Sequence, residues 1–338
     1  MTGDVVKRST RRSARSKPGL LSAVSAAVLL ASPGLADEIW VTNEKDDTIS
    51  VIDTDTLEVT RTIATGDRPR GITFAHDYSV VYICASDSDA VQVMDPETGE
   101  VLHDLPSGED PEQFALHPDN RHLYIANEDD AITTVVDTET RTVVRQINVG
   151  IEPEGMAVSP DGTIAITTSE TTNMAHWIDT GTGALIANTL VDSRPRHAEF
   201  VKGGTELWVS SEIGGTITVF DVETKAEKAK IGFELPRILP SLIQPVGFEF
   251  TADDSHAFVA LGPANHVAVV DAETYEVEEY MLVGRRVWHM AFDRDKDRLF
   301  TTNGVSGDVT VIDVESRKPL KTIKVGRFPW GAAFRPTE

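Results

Sequence analysis

An aspartate closes a β-branched, alternating run at Asp53, Asp95, Asp137, Asp179, Asp221, Asp271 and Asp313, at steps of 42, 42, 42, 42, 50 and 42 residues. Self-similarity at a period of this length means a repeat architecture in which each unit buries its apolar face against its neighbours. A hydroxyl follows three residues on, at Thr56, Thr98, Thr140, Thr182, Thr224, Thr274 and Ser316. An Asp that caps its own turn accounts for that pairing without any functional role.

The same register carries two apolar columns. Trp40, Tyr82, Tyr124, Ile166, Trp208, Phe258 and Phe300 form one, and Phe74, Leu116, Val158, Phe200, Phe250, Phe292 and Phe334 the other. Between them lie short period-2 runs such as "LYIAN" and "ITVFD", separated by turn clusters such as "SPDG". Such runs predict antiparallel strands, four to a repeat. The third full repeat reads "GMAVS" (A), "IAITTS" (B), "HWID" (C) and "ALIANT" (D). Four-stranded units repeated radially make a β-propeller, here an all-β ring of seven blades. The repeats begin on a B strand, "IWVTN", and end on an A strand, "WGAAF". Strand A at the C-terminal end is therefore predicted to join the first B, C and D strands and close the ring, which also protects sheet edges.

Residues 1–36 read as a secretory signal: six Lys/Arg precede the apolar run "GLLSAVSAAVLLASPGLA", with Gly34 and Ala36 at the expected cleavage point and the propeller at 37–338. The expectation is a periplasmic protein without a membrane span, because the run is short. The full chain carries a formal charge of −23, and removing residues 1–36 leaves 25 cationic and 53 anionic residues, near −28. That charge excludes a nucleic-acid binder, which needs Lys/Arg to replace phosphate counterions. It suits solubility and a cationic partner alike. Cys84 is the single cysteine, so no intrachain disulfide and no Cys-x-x-Cys-His haem attachment exist. Its register is otherwise filled by Thr42, Ala126, Thr168, Ser210, Ala260 and Thr302, a small-residue packing position.

In an antiparallel A-B-C-D blade, B–C turns and D-to-A crossings share one face, and A–B and C–D turns the other. At the start of strand A, next to the axis, the equivalent residues are Arg70, Glu112, Glu154, Arg196, Val246, Trp288 and Trp330. One residue on come Gly71, Gln113, Gly155, His197, Gly247, His289 and Gly331, and the B–C loops add Glu44, Glu128, Glu170 and Glu212. Mixed chemistry at registers that folding could fill uniformly marks this mouth as a candidate ligand face. Glu44 precedes Arg70, and Glu170 precedes Arg196, by the same 26 residues, a spacing that fits inter-blade ion pairs as well as ligand binding. Glu112, Glu128 and Glu154 have no cation in that pattern, which makes them the stronger binding candidates. Trp288 and Trp330 either plug the channel or wall a ligand. Glu199 and Glu249 stand where other blades have Thr or Ala, as solvated lining or as a coupled acid pair. His197 and His289 lie two blades apart without metal-ligand spacing, so no metal site is assigned; oxygen coordination of Ca²⁺ by the acids stays open. The 50-residue step holds an insertion, "LPRILPSL" at 235–242, whose Arg237 is a candidate for docking a partner or for a lid.

"IWVTNEKDDTISVID" followed by "GDRPRGITF" resembles the YVTN-type β-propeller repeat family of secreted bacterial proteins, across residues 39–337. More narrowly it is similar to the periplasmic propellers associated with pyrroloquinoline quinone (PQQ)-dependent alcohol catabolism. That resemblance implies a non-enzymatic binding or docking protein beside a quinoprotein dehydrogenase, a cytochrome or a periplasmic transport component. It brings no catalytic motif, and PQQ-holding dehydrogenases are larger and typically eight-bladed. The alternative is a hydrolase resembling the seven-bladed lactonases, with His197 or His289 as base and Arg70 or Arg196 steadying an anionic intermediate.

Overall fold

A computed structural model describes residues 1–10 and 36–337. The chain divides into two units, Met1–Gly34 and Leu35–Glu338. Residues 1–10 carry no regular secondary structure, and the apolar stretch of the expected signal, except its last residue Ala36, lies outside the described residues. No helix among the described residues is long and apolar enough to cross a membrane.

The second unit consists of seven four-stranded antiparallel sheets. Blade 1 joins strand Pro329–Arg335 to Glu38–Asn43, Thr48–Asp53 and Glu58–Ala64, with Ile39 opposite Phe334 and Trp40 opposite Ala333. Both ends of the ring thus share one sheet, as the repeat phase predicts. Blades 2 to 7 follow in chain order, each running A to D from the axis outward.

Each C–D hairpin shows why the aspartate recurs. Asp53 Oδ1 accepts hydrogen bonds from the backbone N–H of Asp55 and Thr56, and Leu57 returns its N–H to the Asp53 carbonyl, with φ of 55–61° at Leu57 and its non-glycine equivalents Arg141, Lys225, Tyr275 and Arg317. A bulge follows every such turn, at Thr60 in blade 1, and adds twist where the outer strand must splay. The two apolar columns meet between blades. Trp40 of blade 1 meets Phe74 of blade 2 edge-on at 5.5 Å, Trp208 meets Phe250 at 4.9 Å and Phe258 meets Phe292 at 5.7 Å. The alternate residues Ile39 and Val41 pack the other way, against Phe300 and Val309 of blade 7. Period-2 alternation here serves two apolar faces, so the core is a set of seven inter-blade layers rather than one centre.

Candidate functional site

Strand A sets the geometry of the channel. In six blades its register against strand B slips after the first residues, as between Pro69 and Ile72 or Pro195 and Ala198. The slip frees one backbone N–H from the ladder, and in four of these blades a strand-B hydroxyl takes it: His197 N–H goes to Ser210 Oγ at 3.1 Å and His289 N–H to Thr302 Oγ1 at 3.0 Å, with Gly155 and Gly331 bonded likewise to Thr168 and Thr42. Thr302 and Thr42 also donate to the next blade's carbonyls at Trp330 (2.6 Å) and Arg70 (2.9 Å). The register read from sequence as small-residue packing thus carries hydroxyl bridges at Thr42, Thr168, Ser210 and Thr302, and stays a small-residue packing position at Cys84, Ala126 and Ala260. Cys84 occupies it in blade 2, fully buried, and burial pushes its thiol pKa well up.

The mouth is closed by charge. Arg70 contacts Glu112 at 2.5 Å, Glu44 at 3.5 Å and Glu154 at 3.8 Å. Arg196 contacts Glu154 at 3.2 Å and Glu212 at 3.5 Å, and also bonds Glu170. Both pairs that the 26-residue spacing suggested are present. The expectation that Glu112 and Glu154 lack a cation is overturned: the arginine in the same register of an adjacent blade, 42 residues away, reaches each of them. Three further arginines complete the network. Arg68 bonds Glu112 and Asp110 at 2.9 Å each, Arg194 bonds Glu170 at 2.7 Å, and Arg286 bonds Glu212 at 2.6 Å. All three sit two residues ahead of the register chosen from sequence, with φ of 53–60°. Their backbone N–H groups are pinned by side chains 21 residues earlier, Asp47, Asn173 and Asn265. That register, scanned like its neighbours, would have revealed them.

Ionisation follows the geometry. Burial opposes the charge on Glu44 and Glu212, but Arg70 and Arg196 respectively lead the cations that outweigh it and leave both pKa values lowered. Burial wins at Glu154, whose pKa is raised despite Arg196. At Glu128, burial and then the charges of Glu112 and Glu154 push the value up to about 9, so it is the member of the mouth held as a neutral acid. Asp110, Glu112 and Glu128 bring carboxyl oxygens within 4.8 Å of one another, a spacing open to a cation, yet Arg68 already serves the first two. Trp288 lies between Arg286 at 4.0 Å and Arg196 at 5.5 Å, so it backs the ion pairs instead of walling a cavity. In the insertion, Arg237 is exposed while Leu235 and Ile243 anchor the segment in the core; no residue of 235–242 lines the channel cavity.

Beneath the mouth lies a cavity of about 170 Å³ lined by Gln113, His197, Glu249, His289 and Trp330 together with Gly71, Gly331 and apolar residues. It shares Ile72, Thr73, Glu249 and Ala332 with a wider space of about 600 Å³ edged by Asp293, Arg294 and Lys296 of the opposite face. The route inward is thus drawn from the A–B-turn face, not from the mouth chosen on sequence grounds. His197 and His289 converge across Gly247, their rings 5.8 Å apart, because a Cβ on that glycine would stand 2.6 Å from His289 Nδ1. Both imidazoles are neutral: burial takes His197 down to about 4 against the pull of Glu249, and takes His289 well below its usual value. Burial, and for Glu249 also the charge of Glu199, raises both carboxyls to about 8. Three polar atoms here find no hydrogen-bond partner among the described residues: Gln113 Nε2, His197 Nδ1 and Trp330 Nε1. Gln113 and Trp330 are only 8% and 2% exposed.

A protein-family model described as YNCE-like beta-propeller matches residues 16–335. No curated protein sequence matches significantly. Among solved structures, Kuenenia stuttgartiensis hydrazine synthase superposes with a TM-score of 0.75 at 17% identity, over 88% of this chain and 99% of that one. A functionally unknown protein of Desulfotomaculum acetoxidans gives 0.76 at 16%, over 90% and 100%. The dihydro-heme d1 dehydrogenase NirN gives 0.67 at 15%, over 87% and 74%. At these identities the likeness is one of fold alone.

Proposed function

The chain belongs to the YNCE-like β-propeller family, and from that premise we propose that it is a non-catalytic, exported binding protein that holds a small polar molecule in its channel. The observation that carries this reading is the pair of buried N–H groups, on Gln113 and Trp330, left without partners on one small cavity. An unpaired buried donor costs about 1–3 kcal/mol, which a ligand oxygen would recover. Export is supported by the basic and apolar character of residues 1–36, and service to a quinoprotein alcohol-oxidation system by the repeat-level resemblance.

PQQ itself does not fit this cavity. It is a tricarboxylate, and the cations around the cavity are already engaged: Arg70 and Arg196 by glutamates on the mouth side, Lys296 by the Phe250 carbonyl on the other, while Glu249 lines the wall. The chain would therefore handle a metabolite of such a system and dock its components, not hold its cofactor. The hydrolytic alternative is weakened on the same grounds. A base near pKa 4 is feeble at neutral pH, and an arginine held by three glutamates is poorly free to meet an oxyanion.

Native mass spectrometry of the protein, purified gently from the periplasm of its source, tests the proposal. A bound small-molecule mass is expected, lost in Trp330→Phe and Gln113→Ala. A mass retained by both variants would remove the ligand from this cavity.

A further inference from the structure

The cavity has two chemically opposite ends. Toward the mouth stand donors: Trp330 at the first channel register, Gln113 at the second, both with unsatisfied N–H groups. Two or three residues further along strand A, roughly 7–10 Å at the rise of an extended chain, stand acceptors. Glu249 lines the cavity and makes no hydrogen bond or ion pair among the described residues, and Glu199 beside it leaves Oε2 unsatisfied. Two neighbouring half-buried carboxyls would ordinarily be answered by a cation. The nearby Lys296 instead donates to the Phe250 carbonyl at 2.7 Å, and the closest basic group to Glu199 is His197 Nε2 at 4.0 Å. Arg70 and Arg196 are engaged above.

We propose that the cavity binds a short organic amine carrying a hydroxyl or carbonyl oxygen at its far end, its ammonium at Glu249 and Glu199 and its oxygen beneath Gln113 and Trp330. This rests on the ligand-binding reading and names the class of ligand. The volume of about 170 Å³, at about 30 Å³ for a water-sized group, limits the guest to about six non-hydrogen atoms. The acidic exterior, −23 over the chain, draws such a cation toward the protein, and Glu249 lies on the boundary with the wider vestibule.

Three probes of equal size separate the parts: 4-amino-1-butanol, 1,4-butanediol and 1-pentylamine, titrated calorimetrically into the intact protein. The amino alcohol is expected to bind at least about tenfold more tightly than the diol, and Glu249→Gln to erase that preference. Trp330→Phe, which keeps a ring and removes the N–H, should erase the preference of the amino alcohol over pentylamine. A diol that binds as tightly as the amino alcohol overturns the amine while leaving a cavity ligand standing. If no probe binds although the native protein carries a mass that Trp330→Phe loses, the amine class alone falls. If no probe binds and no mass is found, both readings fall.

Discussion

Ligand-free protein should lose stability as pH rises from about 6.5 to 8.5, and replacing Glu199 and Glu249 together by Gln should remove much of that loss. The sign follows from where the protons are. Both carboxyls titrate near 8 in the folded protein, against about 4.3 in an unfolded chain. Between those values the folded state keeps protons that the unfolded state has released, so stability falls with rising pH through the folded pKa. His197 has the opposite sign, being lowered to about 4: its contribution grows as pH rises to about 6.5 and is constant above. The two effects oppose each other below about pH 6.5, and the carboxyls act alone above it. Taken at face value, the slope approaches 1.36 kcal/mol per pH unit per group. The Glu199 side chain is 33% exposed, so solvent screening cuts this to roughly 1 kcal/mol for the pair over the window. Glu128, near 9, adds to the fall across the whole window and stays in the variant as a background. Urea midpoints followed by tryptophan fluorescence at pH 6.5, 7.5 and 8.5 provide the comparison. Wild-type and Glu199→Gln/Glu249→Gln profiles that run parallel would refute the reasoning, because Gln resembles the neutral acid in shape but cannot release its proton.

Other outcomes follow from the same geometry. Arg196→Met leaves Glu154, Glu170 and Glu212 without their shared buried cation; a loss of about 3–5 kcal/mol in denaturant unfolding is expected. Gly247→Ala drives a methyl to 2.6 Å from His289 Nδ1 and 2.8 Å from the Trp288 carbonyl, which should cost about 1–3 kcal/mol and shift the His289 ring resonances in NMR. Cys84, fully buried with a raised thiol pKa, should resist a thiol reagent at pH 8 until denaturant opens the ring; rapid labelling of native protein would contradict the packing. Removing residues 329–338 exposes the inner edge of strand Glu38–Asn43 and should abolish cooperative unfolding, read by calorimetry.

The ring was legible because its signal is repeated seven times. One aspartate with its turn hydroxyl fixes blade length, and the two columns typified by Trp40 and Phe74 fix the inter-blade packing. Individual ion pairs were legible only where both partners lay at the registers compared. Glu44 with Arg70 and Glu170 with Arg196 emerged from a shared 26-residue offset. Glu112 looked unpaired because its partners, Arg68 and Arg70, come from the preceding blade. The convergence of His197 and His289 was invisible for a related reason: separation by one blade reads as distance, unless the intervening residue is Gly247 and takes up almost no space. Nor could a linear pattern tell which mouth is stoppered, since that depends on whether the charges at Arg70 and Arg196 are spent on neighbours.

The second channel register reads, around the ring from blade 1, Gly331, Gly71, Gln113, Gly155, His197, Gly247, His289. Crowding favours a checkerboard there: at Gly155 and Gly247 an added Cβ would approach the adjacent blade's Arg196 carbonyl at 2.3 Å and His289 Nδ1 at 2.6 Å. A ring with an odd number of places cannot alternate two kinds without one mismatch. Here the mismatch is the neighbouring pair Gly331 and Gly71, and both line the cavity. Parity thus sets aside one vacancy among seven blades, and the backbone holds it open: a Cβ on Gly331 would stand 2.6 Å from the Arg70 carbonyl and one on Gly71 2.9 Å from that of Glu112. The place of the pocket around the axis is therefore set by which two neighbouring strands come too close for side chains.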